Sequence, residues 1–427
     1  MQIVQGGKLS TDSVCMVVKN RLSNDARVKK EMAVLARDGW RVTVIAMPEA
    51  GAPEEEDRHG IRILRPPIFS ESKQKLRSIV TEASESNDKS TRARVIRYLR
   101  RNKLRRLVAD LQRDIPWEKR LKKAALQVNA DVYHANDLDT LEICGSVAAQ
   151  NGAKLVYDSH ELWLESSRYL IATHPLNKVR LKRIERKYIS RADAVIAVTP
   201  MRGRRMQEMY PSMKNLQIVE NAPEKLLKLP EKGRLRSLIN AEPDDIIALY
   251  QGVLCPERGL EELLAAAELS ENPRLKFVFI GMDTWNGTLQ RTAADRGLNN
   301  RVFFLPPVSS EELPEITVDA DMGFILFRNT CLNHYYSLPN KLYEYMMAGV
   351  PIVSSDFPEL KRVLGEAGSG ITVDPDSPEE IAEAVERLAA NPDMRNRMKG
   401  NGRKAALDRY NWEPQSEILR DLYRKLR

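Results

Sequence analysis

Tyr335–Ser355 reads YYSLPNKLYEYMMAGVPIVSS, a turn, then a helix, then a short buried strand. Ser337 is placed to act as N-cap, and Pro339 falls in the first helical turn, where its missing N–H costs nothing. The spacing predicts a helix from Asn340 to Ala348, ended by Gly349 in the left-handed conformation. Val350–Ser354 has the apolar character of a buried strand, with Pro351 at its start. Lys341 and Glu344 are three apart and share a helix face. A helix N-terminus at Asn340, with a lysine in its first turn, suits a phosphate. A carboxylate about one turn further on, ~5 Å along the axis, can accept hydrogen bonds from two vicinal hydroxyls. Phosphate and diol at that separation are the two ends of a ribose diphosphate. A surface ion pair at i,i+3 has the same spacing, so the spacing alone leaves both readings open.

Outward from this stretch, the C-terminal half alternates strand and helix. Ile246–Gln251 reads as a strand, GVLCPERG (Gly252–Gly259) as a loop, and Leu260–Leu269 as a helix. Gly252 lets the backbone come close to a diphosphate. Arg258 closes the loop, and its planar guanidinium matches phosphate oxygens, although a helix-capping or surface arginine would look the same. Leu275–Gly281, Val302–Pro307, Asp321–Phe327 and Ile371–Val373 continue the sheet. Glu379–Ala389 is an amphipathic helix, and the chain is expected to end in a helix after Pro414.

The N-terminal half repeats the pattern. Val14–Val18 and Arg41–Ala46 read as strands around a helix over Val28–Arg37, a βαβ unit of nucleotide-binding shape. It lacks GxGxxG, so no dinucleotide cofactor is expected. Asn24 or Asp25 is placed to cap that helix. Gly60–Leu64, Asp131–Ala135, Leu155–Asp158 and a strand within Ala192–Pro200 extend the sheet, and Thr199 can cap the helix that starts at Pro200. Two of these strands end in HAND (His134 to Asp137) and YDSHE (Tyr157 to Glu161), and ligands collect beyond the carboxyl ends of parallel strands. Asp137-Leu-Asp139 is formally a DxD. Two carboxylates alone make a poor magnesium site, Asp139 reads as a helix cap, and no metal is expected.

At 427 residues the chain can hold two full cores. The start has no apolar core behind a basic end, and no run is long enough to span a bilayer, which sets a cytoplasmic location as the expectation. Cys15, Cys144, Cys255 and Cys331 are far apart and unsuited to a disulfide framework or a zinc knuckle. The net charge of +8 is concentrated: residues 71–125 hold seventeen Lys or Arg against seven Asp or Glu, and the rest of the chain is slightly acidic. Val95, Leu99, Leu104, Leu107, Val108 and Leu111 lie there at roughly helical spacing among arginines, with a polar linker at 81–90. Such a basic amphipathic segment is a solvated face over a packed stripe or a contact with an anionic membrane surface. With no nucleic-acid-binding motif around it, nucleic acid is not expected as a partner.

Pro339-x-Lys341-Leu342-x-Glu344-Tyr345-Met346-x-Ala348-Gly349-x-Pro351 resembles the nucleotide-sugar signature of retaining glycosyltransferases of family 4, which have the GT-B fold. The resemblance extends to Val28–Ala46, Tyr157–Glu161 and Tyr250–Leu263. It implies two Rossmann-like α/β domains facing across a cleft. They would be an acceptor-side domain over 1–222 and a nucleotide-sugar domain over 223–410, with a C-terminal helix over 411–427 crossing back to the first. Asn221-Ala-Pro223 resembles the hinge between them. By the same resemblance Glu344 holds the donor ribose, and Lys341, Arg258, Asn340 and Gly252 surround the diphosphate. His160 reaches the donor sugar; a histidine that only fixes the following turn is the plainer reading. Asn24, Asp25, Arg27, His134 and Asp137 fall on the acceptor side. A nucleotide-diphosphate sugar would be the co-substrate and a glycan or lipid-linked molecule the acceptor, in cell-surface polysaccharide or glycolipid synthesis. Two departures stand out. Many relatives carry a glutamate where this chain has Tyr336, and some carry an arginine where it has Val253. Asn333, His334 or Asn340 could replace the missing glutamate. An epimerase or phosphorylase on the same fold, and a non-catalytic nucleotide- or membrane-binding relative, are the alternatives.

Overall fold

The computed structural model describes residues 12–67, 117–166 and 175–427. The basic helical stripe and the linker at 81–90 lie outside these residues. Of the basic segment, only 117–125 is described, inside a helix over 117–128. The chain forms two compact units. The first runs to Val198 and adds Gly203–Val219 and Ile418–Arg427; the second holds Thr199–Arg202 and Glu220–Glu417.

The first unit is built on eight strands: β1 (Ser13–Val17), β2 (Arg41–Ile45), β3 (Glu55–Arg58), β4 (Ile61–Leu64), β5 (Val132–Asn136), β6 (Lys154–Ser159), β7 (Ala194–Ala197) and β8 (Leu216–Ile218). Their order is β3-β4-β2-β1-β5-β6-β7-β8, parallel throughout except for the β3–β4 pair. The central strands are buried on both faces, hence their unbroken apolar runs. β3 escapes sequence reading because EEDR is charged and mostly exposed, as an edge strand can be. Its turn into β4 is fixed by His59 (φ 55°) and Gly60 (φ 79°), with Gly60 N–H donating to Asp57 Oδ1 at 2.9 Å.

The second unit holds six parallel strands: β9 (Ile246–Gln251), β10 (Leu275–Ile280), β11 (Val302–Leu305), β12 (Met322–Ile325), β13 (Ile352–Ser355) and β14 (Gly370–Val373). They are ordered β11-β10-β9-β12-β13-β14. β9 lies at the centre, so its carboxyl end opens where the strand order reverses, which is where open α/β sheets place ligands. Phe277, Phe279 and Phe324 fill one face of this sheet, packed with the helices Leu260–Leu269 and Pro378–Ala390. Leu342, Tyr345 and Met346 of the helix Asn340–Ala348 fill the other.

Three local readings are corrected. Ser337 does not cap the helix Asn340–Ala348: Pro339 holds the cap position with extended backbone (ψ 151°), and no side chain caps it. Asp139 lies within the first turn of the helix Leu138–Asn151, whose cap position belongs to Asp137 at φ 65°. The last helix starts at Trp412, ahead of Pro414, because proline is tolerated in a first turn where N–H groups have no intrahelical partner. The polar helix Pro392–Asp408 had no apolar signature to announce it. It packs through Gly402, where a Cβ would lie 3.1 Å from Ser369 Cβ. Its Arg403 donates to the carbonyls of Met347 and Leu226, tying down the C-terminal end of the helix Asn340–Ala348.

Candidate functional site

In the second unit the candidate site lies at the end of β9. Gly252 follows the strand at φ 133°, and Gly281 follows β10 at φ 151°. A Cβ on Gly281 would lie 1.9 Å from Gly252 O, and one on Gly252 would lie 3.2 Å from Lys341 Nζ. Only glycine allows this backbone and this approach. Lys341 Nζ sits 3.7 Å from the centre of the Tyr250 ring, and the Arg258 guanidinium 4.4 Å from that of Phe327. These are cation–π contacts. Among the described residues neither cation forms an ion pair. Burial and the charge of Arg258 push the Lys341 ammonium down to about 7, against the opposing pull of Glu344. Two cations that repel one another, without a paired carboxylate, would be relieved by a bound dianion.

Glu344 stands one turn after Lys341. Its Oε2 accepts from Gln251 Nε2 at 2.5 Å, and Gln251 Oε1 accepts from the Thr317 hydroxyl at 2.9 Å. Asn340 is exposed at the helix start and its Oδ1 accepts from Asn221 Nδ2 at 3.0 Å. Thr199 caps the helix Pro200–Met209 as expected, donating nothing to it but accepting from Arg202 N–H at 3.2 Å. Sequence reading missed the second duty of this segment, which belongs to the second unit. The Thr199 hydroxyl donates to Tyr336 O at 3.1 Å and Arg202 Nη2 to Asn333 O at 2.9 Å, which holds the loop carrying Tyr336. Of the residues considered as substitutes for the missing glutamate, Asn333 is buried, and His334 stacks on Phe327 with its Nδ1 3.1 Å from the Thr330 hydroxyl. Val253, in the place of the second arginine, is 40% exposed.

The first unit carries a cluster of ionisable groups at the ends of β5 and β6. Arg27 donates through Nε and Nη2 to both oxygens of Asp158 (3.1 and 3.0 Å) and through Nη1 to Val219 O at 2.8 Å. Its Nε also lies 3.0 Å from Glu31 Oε1. His134 is fully buried and shares a 2.7 Å hydrogen bond with the Tyr423 hydroxyl. His160 is clamped: Nε2 is 2.9 Å from Asp158 Oδ2, Nδ1 is 3.5 Å from Asp137 Oδ2, and its N–H donates to Asp137 Oδ1 at 2.9 Å. Against burial, Asp158 and then Asp137 raise His160 to about 10. Burial and the neighbouring Asp158 raise Glu31 to about 8, and burial raises Asp137 to about 6. Asp158 falls well below the usual range despite burial, because Arg27 and His160 face it. The two carboxylates at His160 thus favour its imidazolium form.

Arg27 and His134, expected on the acceptor side, lie beneath the surface at 3% and 0% exposure. Both face Asp158 there, Arg27 at 3.0 Å and His134 Nε2 at 3.7 Å. Asp25 caps the helix Ala26–Arg37, accepting from Val28 N–H at 3.0 Å, and remains partly exposed. Asn24 closes the turn Leu22–Asn24, and its side chain lies outside the described residues. Glu31, His134 and Asp158 have ligand atoms within 4.8 Å of one another, a spacing that would suit a metal ion. The Arg27 guanidinium already faces two of the three, Asp158 and Glu31, each at 3.0 Å. Among the described residues, no helix is long and apolar enough to cross a membrane.

Comparison with known proteins covers both units. The model of Glycosyltransferase Family 4 matches residues 28–222, and that of Glycosyl transferases group 1 matches 232–405. The chain is 28% identical over 289 residues to an alpha-D-kanosaminyltransferase of Streptomyces kanamyceticus, covering 64% of this chain and 71% of the relative. It is 29% identical over 169 residues to a GDP-mannose:cellobiosyl-diphosphopolyprenol alpha-mannosyltransferase of Xanthomonas oryzae, covering 39% and 43%. Such matches span about two fifths to seven tenths of the curated relatives' length. In fold, the chain is similar to Anabaena HepE solved with UDP and glucose, at a TM-score of 0.70 and 13% identity over 97% of this chain and all of that one. With one model on each unit and the two matches together spanning most of its length, the chain belongs to the family 4, group 1 glycosyltransferases of GT-B type.

Proposed function

We propose that the protein is a retaining transferase that moves a sugar from a nucleoside-diphosphate donor to a glycan or lipid-linked acceptor. The observation that carries this is the pair Lys341 and Arg258 at the Gly252 turn, two cations without a paired carboxylate, with Glu344 one helical turn away. A diphosphate would sit between the cations and the helix start at Asn340, and the ribose hydroxyls would meet Glu344. As the glycosidic bond breaks, negative charge grows on the leaving diphosphate, and Lys341 and Arg258 would stabilise it in place of a metal ion. No pair of carboxylates with glycosidase character takes part in this reading. The acceptor hydroxyl would attack from the side on which the diphosphate leaves, retaining the configuration. In the first unit, the His160 imidazolium, fixed by Asp158 and Asp137, would donate to the donor sugar, and Asp25 and Asp137 would contact the acceptor. The diphosphopolyprenol acceptor of the Xanthomonas relative and the basic segment at 71–125 support a lipid-linked acceptor reached at the inner face of a membrane.

The test is a melting screen with UDP, GDP, ADP, CMP and their sugars on the wild type and Lys341→Ala. A ligand that binds only the native state raises the midpoint. One nucleotide is expected to raise it in the wild type, with affinity falling roughly ten- to hundredfold in the variant, as for a charged hydrogen bond. No shift with any nucleotide would overturn the donor site. Turnover of the donor without acceptor, or turnover that depends on inorganic phosphate, would point instead to an epimerase or a phosphorylase.

A further inference from the structure

Gln251, at the end of β9, is 2% exposed. It is held at three points. Its backbone N–H donates to the Tyr345 hydroxyl at 3.1 Å, and that hydroxyl donates to Leu249 O at 3.0 Å. Its Oε1 faces the Thr317 hydroxyl at 2.9 Å, and its Nε2 faces Glu344 Oε2 at 2.5 Å. Glu344 and Tyr345 are consecutive in the helix Asn340–Ala348, so the end of β9 grips that helix through two adjacent side chains. Thr317 is 1% exposed and ends the short helix Leu313–Thr317, whose Leu313 O also lies 2.8 Å from its hydroxyl. The amide orientation is forced. Turned over, Gln251 would bring an oxygen against the carboxylate of Glu344, and two acceptors at that distance repel.

We propose that Gln251, oriented by Thr317, is a positioning residue that fixes the Glu344 carboxylate for the two ribose hydroxyls of the donor nucleotide. The proposal rests on the donor-site reading above. One oxygen of Glu344 is committed to Gln251, and this sets the rotation of the carboxylate so that its remaining acceptor positions face the diol. Without Gln251 the carboxylate would lose this hold, and more of the entropy of fixing it would fall on each binding event.

The experiment measures the binding of UDP and GDP, and of their 2′,3′-dideoxy counterparts, to the wild type, Glu344→Ala, Gln251→Leu and Thr317→Val. The wild type should prefer the ribonucleotide roughly ten- to hundredfold, the range of hydrogen bonds to a charged group. Glu344→Ala should lose that preference; if it keeps it, or if neither nucleotide binds the wild type, the donor-site reading itself fails. Gln251→Leu should bind the dideoxynucleotide as the wild type does and lose most of the ribose preference. Thr317→Val, a near-isosteric change, should lose part of it and covers the case in which Gln251→Leu does not fold. A merely structural role for Gln251 would lower the affinity for both nucleotides alike and leave their ratio unchanged. That result, with Glu344→Ala behaving as expected, overturns the positioning role alone.

Discussion

Burial of Lys341, and then the charge of Arg258, push its ammonium down to about 7, far below an ordinary lysine. A bound diphosphate reverses this, because a nearby anion favours the charged form. The sign follows. At pH 8 the unbound protein holds mostly neutral Lys341, the complex holds it charged, and binding takes up as much as about one proton. Affinity should therefore fall as pH rises above about 7. Calorimetry at pH 8, in two buffers of unlike ionisation enthalpy, checks this with the sugar nucleotide selected by the melting screen. Its diphosphate diester does not itself titrate there. Equal enthalpies in the two buffers would show that Lys341 is already charged, and Lys341→Ala should show no uptake.

Among elements, the site depends on two strand ends meeting closely. Gly281 leaves β10 at φ 151°, and its missing Cβ makes room for Gly252 O. Gly281→Ala must displace that carbonyl and adopt a backbone that side chains avoid, so the expected loss is roughly 2–4 kcal/mol of stability, with nucleotide binding lost as well. Gly365 is the internal control. It lies in the helix Pro358–Ala367 with nothing within 4 Å of a built Cβ. Gly365→Ala should be neutral or stabilising by up to about 1 kcal/mol. Urea unfolding of the two variants separates these outcomes; similar midpoints would refute the close-approach argument.

At the scale of the whole molecule, the last ten residues belong to the first unit although the chain before them builds the second. Tyr423 is fully buried there, edge-on to Trp40 at 5.2 Å, with its hydroxyl on His134. Arg427 adds a hydrogen bond to Asp38 O at 2.9 Å and an ion pair to Asp12 at 3.2 Å. Deleting Ile418–Arg427 should destabilise the first unit by roughly 3 kcal/mol or more, as expected for removing a buried aromatic and its neighbours. Nucleotide binding by the second unit should persist. Tyr423→Phe, which removes only the hydroxyl and leaves His134 Nδ1 without that partner, should cost roughly 1–3 kcal/mol. Thermal melting with and without nucleotide reads both, and a truncated chain that melts like the full one would rule out this anchoring role.

By itself the sequence determined the two parallel α/β sheets, because strands buried on both faces need unbroken apolar runs such as VCMVV and LKFVFI. It also determined the helix Asn340–Ala348 and its end at Gly349, which sits at φ 69°, since both depend on local backbone chemistry. Lys341 and Glu344 were legible because their spacing places them on one face. What only the tertiary structure decided involves partners distant in sequence. Gln251 meets Glu344 across 93 positions, Thr199 meets Tyr336 across 137, and Arg27 meets Asp158 across 131. No local pattern records such pairs. The charged edge strand Glu55–Arg58 and the polar helix Pro392–Asp408 were hidden for a related reason: neither has an apolar periodicity of its own, and each exists because of what it packs against. Burial, too, is a property of the assembled sheet. It withdrew Arg27 and His134 from the surface, where the sequence had left them as ligand contacts: Arg27 is held by Asp158 and Val219 O, and His134 by the Tyr423 hydroxyl.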